Sequence, residues 1–422
     1  MIVRMMEERL CRDAYTIINS AIALVMPQAA VRNALANHSF SGAISVLAIG
    51  KAAWTMAQAA QEELGSRIKQ GIVITKYGHA PKPIDGFEIF EAGHPLSDEN
   101  TIKATSYALA MAERLGAFDD ELLFLISGGG SALFEKPLDC LTLDDLVAVN
   151  DQLIKSGANI IEINTIRKRL SQVKGGRFAQ LCSPAKVFTV ALSDVIGDRL
   201  DVIASGPAAP DMTTRADAFA VAHKYHLALK PSFVRCLEKE TPKHLDNVEA
   251  VITGSVRTLC LSAALEAKKL GYNALVLCTE MDGEASEAGR FIAAHARQIG
   301  LSAFSPQRPC ALIFGGETIV HRKGSGKGGR NQELVLAASE GIAGMDNTVV
   351  FSFGSDGTDG PTDAAGGMVD GNTLSRLSAQ GLVVADILAR NDAYNGLDAV
   401  GALIKTGPTG TNVNDMAVVL CR

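Results

Sequence analysis

Leu122-Leu123-Phe124-Leu125-Ile126-Ser127-Gly128-Gly129-Gly130-Ser131 joins five consecutive apolar residues to a glycine triplet flanked by serines. An uninterrupted apolar run this short is the pattern of a strand buried on both faces, as in parallel sheets. Consecutive glycines expose backbone N–H groups with no Cβ in the way, and a helix starting there adds partial positive charge. An anion, phosphate or carboxylate, is the natural ligand of such a turn. A tight strand-to-helix turn without a ligand uses the same residues, but the position after a buried strand favours anion binding.

The same unit recurs on both sides. Residues 45–49 end at Gly50-Lys51 before the helix-like stretch 52–64, and 72–75, 186–192, 250–253, 274–278, 311–314 and 348–353 are further short apolar runs. Between them Val256, Leu259, Ala263, Ala267 and Leu270 keep a 3.6-residue period, as do Ala285, Ala288, Ile292 and Ile299. Thr142 with Asp145 three residues on is a candidate capping box. This alternation predicts an α/β fold with doubly wound sheets. At 422 residues there is chain for two or three domains. Two polar, proline-bearing stretches, 230–247 and 302–309, look like joints. The boundary is placed near residue 235, giving domains 1–235 and 236–422, with the last strand a candidate to return to the first domain.

Bulk composition narrows the function classes. Forty Lys+Arg against 46 Asp+Glu, a formal net charge of −6, leaves no electrostatic footprint for nucleic acid or an anionic membrane. No run of 18 uncharged apolar residues is present to span a bilayer, and residues 1–10 carry acids and bases where a signal peptide has an apolar core. Eight cysteines scatter without a C-x-x-C pair, which argues against zinc ribbons and thioredoxin-like chemistry. Buried structural thiols in a reducing cytoplasm are the expectation. The 40 glycines, about 9% of the chain, exceed the roughly 7% of ordinary proteins, so their clustering carries the functional information.

Three more clusters follow. Lys174-Gly175-Gly176-Arg177 comes after Asn164-Thr165-Ile166-Arg167-Lys168-Arg169, and a solvated basic helix face competes evenly with a phosphate-facing turn. Gly324-Ser325-Gly326-Lys327-Gly328-Gly329-Arg330 follows Gly315-Gly316-Glu317. It fails the Walker A template, because Gly328 follows Lys327 and His321 holds the leading position; Gly50-Lys51, followed by Ala52, fails likewise. What remains is a flexible basic loop suited to close over a polyphosphate, with Arg330 to clamp a transferring phosphoryl group. The stretch Gly354-Ser355-Asp356-Gly357-Thr358-Asp359-Gly360, continuing to Gly366, follows the run 348–353, and ligands gather at such strand ends. Asp356, Asp359 and Asp363 there are candidates for Mg²⁺, which takes few carboxylates plus substrate phosphates. With Lys51, Asp194 and Asp198 these loops make a phosphoryl-transfer inventory.

Other chemistries fit poorly. No G-x-G-x-x-G opens a helix after the first strand, so a dinucleotide oxidoreductase has no fingerprint. Ser171-x-x-Lys174, Ser193-Asp194-Val195 and Lys405-Thr406-Gly407 imitate the β-lactamase order, but Val195 breaks the S-D-N motif and those enzymes are exported. A non-catalytic small-anion-binding protein is the alternative from a different class.

Several long motifs then resemble one family, the class II glycerate kinases with a carboxyl-terminal MOFRL domain. They are Leu125-Ile126-Ser127-Gly128-Gly129-Gly130-Ser131-Ala132-Leu133, the segment 164–176, Ser193-Asp194-Val195-Ile196-Gly197-Asp198 and Ala204-Ser205-Gly206-Pro207 in the amino-terminal half. In the other half they are Gly315-Gly316-Glu317-Thr318, Gly328-Gly329-Arg330-Asn331-Gln332-Glu333, the segment 354–366 and Pro408-Thr409-Gly410-Thr411-Asn412-Val413-Asn414-Asp415. Arg169 stands where the family's basic segment is expected to carry His. The resemblance implies ATP- and Mg²⁺-dependent phosphorylation of D-glycerate to 2-phosphoglycerate, releasing ADP. It also implies a larger Rossmann-like α/β/α sandwich and a smaller α/β domain with a mixed sheet, an active-site cleft lying between them. Family members are often labelled hydroxypyruvate reductase, in hydroxypyruvate and tartrate metabolism, and an NAD(P)-dependent reductase is carried as the other alternative.

On that resemblance, Lys51 and Arg330 neutralise the transferring phosphoryl group and Asp194 orients or deprotonates the attacking hydroxyl. Ser127, Gly128, Gly129, Gly130 and Ser131 offer donors to an anion, and Arg167 or Lys174 meets the glycerate carboxylate. Gly328, Gly329 and Asn331 bind substrate or nucleotide, and Glu317, Asp356 and Asp359 are the metal candidates. Glycerate is the expected partner, with neither nucleic acid nor membrane, and a homo-oligomer stays open.

Overall fold

The computed structural model describes residues 2–118, 121–299 and 306–422, so residues 302–305 of the second expected joint lie outside the described residues. The chain forms two compact units, Pro27–Thr253, and Met1–Met26 together with Gly254–Arg422. No single helix among the described residues is long and apolar enough to cross a membrane.

The first unit is built on β1 (Ile44–Ile49), β2 (Ile68–Lys76), β3 (Phe87–Ala92), β4 (Glu121–Ile126), β5 (Val187–Leu192) and β6 (Val248–Gly254), in the order β3-β2-β1-β4-β5-β6. β1 runs parallel to β2 and β4, β2 to β3, and β4 to β5. Every residue of β1, β4 and β5 is buried, because alternate side chains enter two different cores. Phe124 and Ile126 pack in one with Ala108 and Met111 of the helix Glu99–Phe118. Leu123 and Leu125 pack in the other with Met56 and Ala60 of the helix Ala53–Leu64. The strand order reverses direction at β1, between β2 and β4. In open α/β sheets the crevice outside the carboxyl ends of the strands at this reversal is the place for a ligand.

The second unit holds β7 (Asn273–Met281), β8 (Cys310–Gly316), β9 (Thr348–Gly354), β10 (Gly366–Asp370), β11 (Leu403–Ile404) and β12 (Asp415–Cys421), in the order β11-β10-β9-β12-β8-β7. Only β7 and β8 pair in parallel; the remaining pairs are antiparallel. The sheet is mixed, not a second parallel one. Its central strand is the last of the chain: β12 lies between β8 and β9 with all seven residues buried. The last strand therefore stays with its own unit and does not return to the first.

The joint expected near residue 235 lies instead at 253/254. The polar stretch 230–247 is used inside the first unit. Pro231 opens the helix Pro231–Leu237, where a missing N–H costs nothing. The Thr241 hydroxyl donates to Asp211 at 2.7 Å, and Lys243 donates to the Asp211 carbonyl at 2.9 Å. At the other end, the first helix (Ile2–Leu24) joins the second unit. There Asp13 accepts from the Tyr272 hydroxyl at 2.7 Å and from Arg422 at 2.9 Å.

Candidate active site

At the reversal of the first sheet, the exits of β1 and β4 are tied together. Ser127 donates its N–H to Ile49 O (3.0 Å), Lys51 donates its N–H to Gly128 O (2.9 Å), and Ala52 donates to Ser127 Oγ (3.1 Å). The crossing is too close for any side chain on Gly50. Its φ is +108°, and a Cβ there would sit 2.3 Å from Ser127 Oγ. The glycine triplet is similarly crowded. A Cβ on Gly128 would meet Asp194 Oδ2 at 2.4 Å, and one on Gly129 would come within 3.0 Å of the His94 ring and 3.3 Å of Lys51 Cγ. Lys51, Gly128, Gly129 and Asp194 are thus brought together. Sequence reasoning missed His94, which follows the edge strand β3. Its place just past a strand is the one Lys51 and Asp194 occupy, but Glu88 and Glu91 interrupt the apolar run that would have marked that strand.

The second glycine pair is not a phosphate turn. Gly175 and Gly176 donate their N–H groups to Ser205 O (3.1 Å) and Gly206 O (2.7 Å). Nor is the basic run a solvated face, because Lys168, Arg169 and Lys174 are buried. Arg169, wholly enclosed, donates to Thr165 O (3.0 Å), Thr213 O (2.7 Å) and Thr213 Oγ1 (2.9 Å) and faces Asp211 at 3.5 Å. Lys174 uses three ammonium donors on Ser131 O (2.8 Å), Phe134 O (3.1 Å) and Glu135 (2.8 Å). It pins the segment after the glycine triplet, which corrects its expected role on the glycerate carboxylate. Burial pushes its pKa down, opposed by Glu135. Arg167 is half-buried and donates from Nε to Asn150 at 2.7 Å.

In the second unit, Arg330 starts the helix Arg330–Gly341 and grips Asp415 with two bonds, Nε to Oδ2 at 2.5 Å and Nη2 to Oδ1 at 3.1 Å, while Nη1 reaches Glu317 at 2.6 Å. Burial opposes the guanidinium charge, yet Asp415 and Glu317 hold it more firmly protonated than an ordinary arginine. Burial likewise pushes the Asp415 carboxyl up to about 6 against the pull of Arg330. Asp415, unassigned from the sequence, is the residue that fixes Arg330.

Asp359 is turned inward. It accepts the N–H groups of Asn331 (3.2 Å) and Gln332 (2.9 Å), capping the helix Arg330–Gly341, and burial raises its pKa to about 6. Gly329 must be glycine, since a Cβ would lie 2.3 Å from Asp359 Cγ. The Asn331 amide donates to Asp359 (3.3 Å) and its oxygen accepts from the Ser352 hydroxyl (2.6 Å). The N-terminus of this helix is therefore filled by a carboxylate of the protein, and Asp359 and Asn331 both make bonds that hold the fold.

Among the described residues no three His, Cys, Asp or Glu side chains are grouped to hold a metal ion by themselves. Asp356 and Asp415 do converge, their Oδ1 atoms standing 3.2 and 3.4 Å from a Cβ built on Gly354. Two carboxylates plus phosphate oxygens suit Mg²⁺. Asp363 faces elsewhere, bonded to Tyr394 (2.6 Å) and Lys405 (3.0 Å). Gly328, Gly329, Arg330 and Asp356 line a cavity of about 540 Å³ with Arg322 and Thr358.

A parallel sheet whose reversal point gathers a lysine, a carboxylate and a glycine turn, with an arginine, carboxylates and a glycine-rich loop in the second unit, defines an α/β protein equipped to handle anionic small molecules. Comparison with known proteins is specific. A family described as a domain of unknown function, DUF4147, matches residues 13–238, and the MOFRL family matches 310–415. The D-glycerate 2-kinase of Thermotoga maritima is 52% identical over 98% of this chain and 99% of its own. The glycerate 2-kinase of Pyrococcus horikoshii is 41% identical over 90% of this chain and 87% of its own. The crystal structure of glycerate kinase from Thermotoga maritima superposes with a TM-score of 0.94 at 51% identity, covering 98% of this chain and all of that one. The chain belongs to the glycerate 2-kinase family with a MOFRL domain.

Proposed function

We propose that this chain transfers the γ-phosphoryl group of ATP to the 2-hydroxyl of D-glycerate, giving 2-phosphoglycerate and ADP. The observation that carries the reading is the meeting of Lys51, Asp194 and the Gly128-Gly129 turn at the reversal of the first sheet. It stands in a chain 52% identical along almost its whole length to a D-glycerate 2-kinase. In this reading the first unit is a Rossmann-like α/β/α layer.

Phosphoryl transfer needs positioning and charge stabilisation more than covalent chemistry. Lys51 and Arg330 supply positive charge to the transferring group, and Gly128 and Gly129 supply backbone donors to an anion. Asp194 orients the attacking hydroxyl. Arg167 is the remaining cation for the glycerate carboxylate once Lys174 is engaged. Asp356, with Asp415 or Glu317 directly or through water, would hold Mg²⁺, which when bound offsets charge on the phosphates.

Among the described residues Lys51 has no side-chain hydrogen bond or ion pair, so Lys51→Met is expected to leave the thermal midpoint unchanged. It should lower turnover by roughly 10²–10³-fold, the usual loss when one charge-stabilising donor is removed. Coupled measurement of ADP release checks this, and near-normal turnover would remove Lys51 from the mechanism. NAD(P)H oxidation with hydroxypyruvate, followed at 340 nm (roughly the reduced-nicotinamide band), would favour the reductase instead.

A further inference from the structure

We propose that His94 is the group that takes the proton from the attacking hydroxyl, leaving Asp194 to orient it; the assignment rests on the kinase reading above. His94 lies just beyond β3, at the same ends of the parallel strands as Lys51 after β1 and Asp194 after β5. Its ring stands over Gly129: a Cβ built there would be 3.0 Å from both Nε2 and Cδ2, and 3.3 Å from Lys51 Cγ. Asp194 Oδ2 approaches the adjacent Gly128 to 2.4 Å of such a Cβ. Imidazole and carboxylate thus reach one pair of glycines from two strands, with the lysine alongside. A hydroxyl seated there meets both.

Burial and charge decide which of the two accepts the proton. His94 is half-buried, and among the described residues neither ring nitrogen has a hydrogen-bond partner, so a lone pair is available. The charged groups facing it are Lys51 from the exit of β1, and Lys76 and His79 from the exit of β2. The nearby acids are engaged elsewhere. Glu91 accepts the N–H groups of His79 and Ala80 at 3.1 Å, and Asp98 accepts from Tyr77 at 2.6 Å and from Thr101 at 2.9 Å. Burial first, then Lys51, Lys76 and His79, push the imidazole below its ordinary 6.5. At neutral pH it is uncharged and can accept a proton. A base whose proton affinity lies near the working pH transfers a proton most effectively.

The step balances. The O–H bond of the hydroxyl breaks and its proton goes to a ring nitrogen of His94. The oxygen's electron pair forms the new bond to the γ-phosphorus, and the bond from that phosphorus to the β–γ bridging oxygen breaks, its pair leaving on ADP. The imidazolium then returns the proton to solvent.

The test compares wild type, His94→Gln, His94→Ala and Asp194→Asn for ADP release from Mg-ATP and D-glycerate across pH. Wild type should lose turnover as pH falls through the imidazole pKa, below 6.5. His94→Gln should lower kcat by roughly 10²–10⁴-fold, keep the KM for ATP, and lack that acid limb. Added imidazole should restore part of the turnover of His94→Ala, which a purely structural role would not allow. An active wild type with an unaltered His94→Gln profile, or an acid limb that vanishes only in Asp194→Asn, would overturn the assignment alone. A wild type that releases no ADP would overturn the kinase reading with it.

Discussion

Asp359 shows how burial changes what a residue type can do. From the sequence it is one of three acids in a glycine-rich loop, a fair metal ligand. In the fold it accepts two helix N–H groups and is 3% exposed, so most of its bonding capacity is spent inside the protein even though it borders the cavity beside Asp356. Asp359→Ala would strand those donors, at a cost of roughly 1–3 kcal/mol, readable as a lower urea midpoint. Its pH dependence has a definite sign. Folded Asp359 titrates at about 6, against 3.8 ordinarily. Between those values the folded chain holds a proton the unfolded chain has released, so this contribution to stability is full below 3.8 and is lost as pH rises through about 6. Asp359→Asn, which cannot ionise, is expected to flatten the slope of stability against pH in that window; an unchanged slope would contradict the buried titration. Lys174 teaches the same lesson with the opposite charge. Lys174→Met leaves Glu135 buried without its partner and is expected to cost about 3–5 kcal/mol, measured by the same denaturation. Neither role was legible in sequence. A basic run looks alike on an exposed helix and in a core, and Asp211, which Lys168 and Arg169 face, lies far along the chain.

Strands were far more legible than sites. The eight continuous apolar runs all fall on strands. β1, β4, β5, β8 and β9 are buried at every position, as strands covered on both faces must be, whereas β6 and β7 keep exposed residues and are not covered in that way. β3 (Phe-Glu-Ile-Phe-Glu-Ala) escaped because it is an edge strand in which Glu88 and Glu91, one on each face, interrupt the apolar run. With β3 unread, His94 had no strand end to belong to and drew no attention. β12 was expected only as a last strand, without bounds or partners, because its first residue, Asp415, closes a polar motif that draws the eye away from the apolar run behind it. The capping box at Thr142 was readable because it is local: Thr142 accepts the Asp145 N–H at 3.2 Å and Asp145 returns the bond at 3.0 Å. The crossing of the β1 and β4 exits gives a test at this scale. Gly50→Ala must strain a φ of +108° and force Ser127 away, whereas a Cβ on Gly65, with φ +51°, enters open space. Turnover is expected to collapse in Gly50→Ala and to persist in Gly65→Ala, with only strain of roughly 1–3 kcal/mol in the latter. Equal turnover in the two would mean the β1–β4 exit is not the reaction site.

At the scale of the whole chain, two sheets of different construction carry the proposed chemistry. One is parallel from β3 through β5 and places Lys51, His94 and Asp194 at the ends of its strands. The other is mixed, and its central β12 delivers Asp415 to hold Arg330. The two-part organisation was visible in the sequence, but the assignment of segments was not. Helix Ile2–Leu24 joins the second unit through Asp13, Tyr272 and Arg422, partners that no local pattern announces. The central claim is the reaction itself, and phosphorus-31 NMR of the products tests it most directly. With ATP, Mg²⁺ and D-glycerate, the account predicts that ADP and 2-phosphoglycerate resonances grow together in equal amounts. A 3-phosphoglycerate resonance, or ADP with inorganic phosphate and no phosphorylated glycerate, would contradict it.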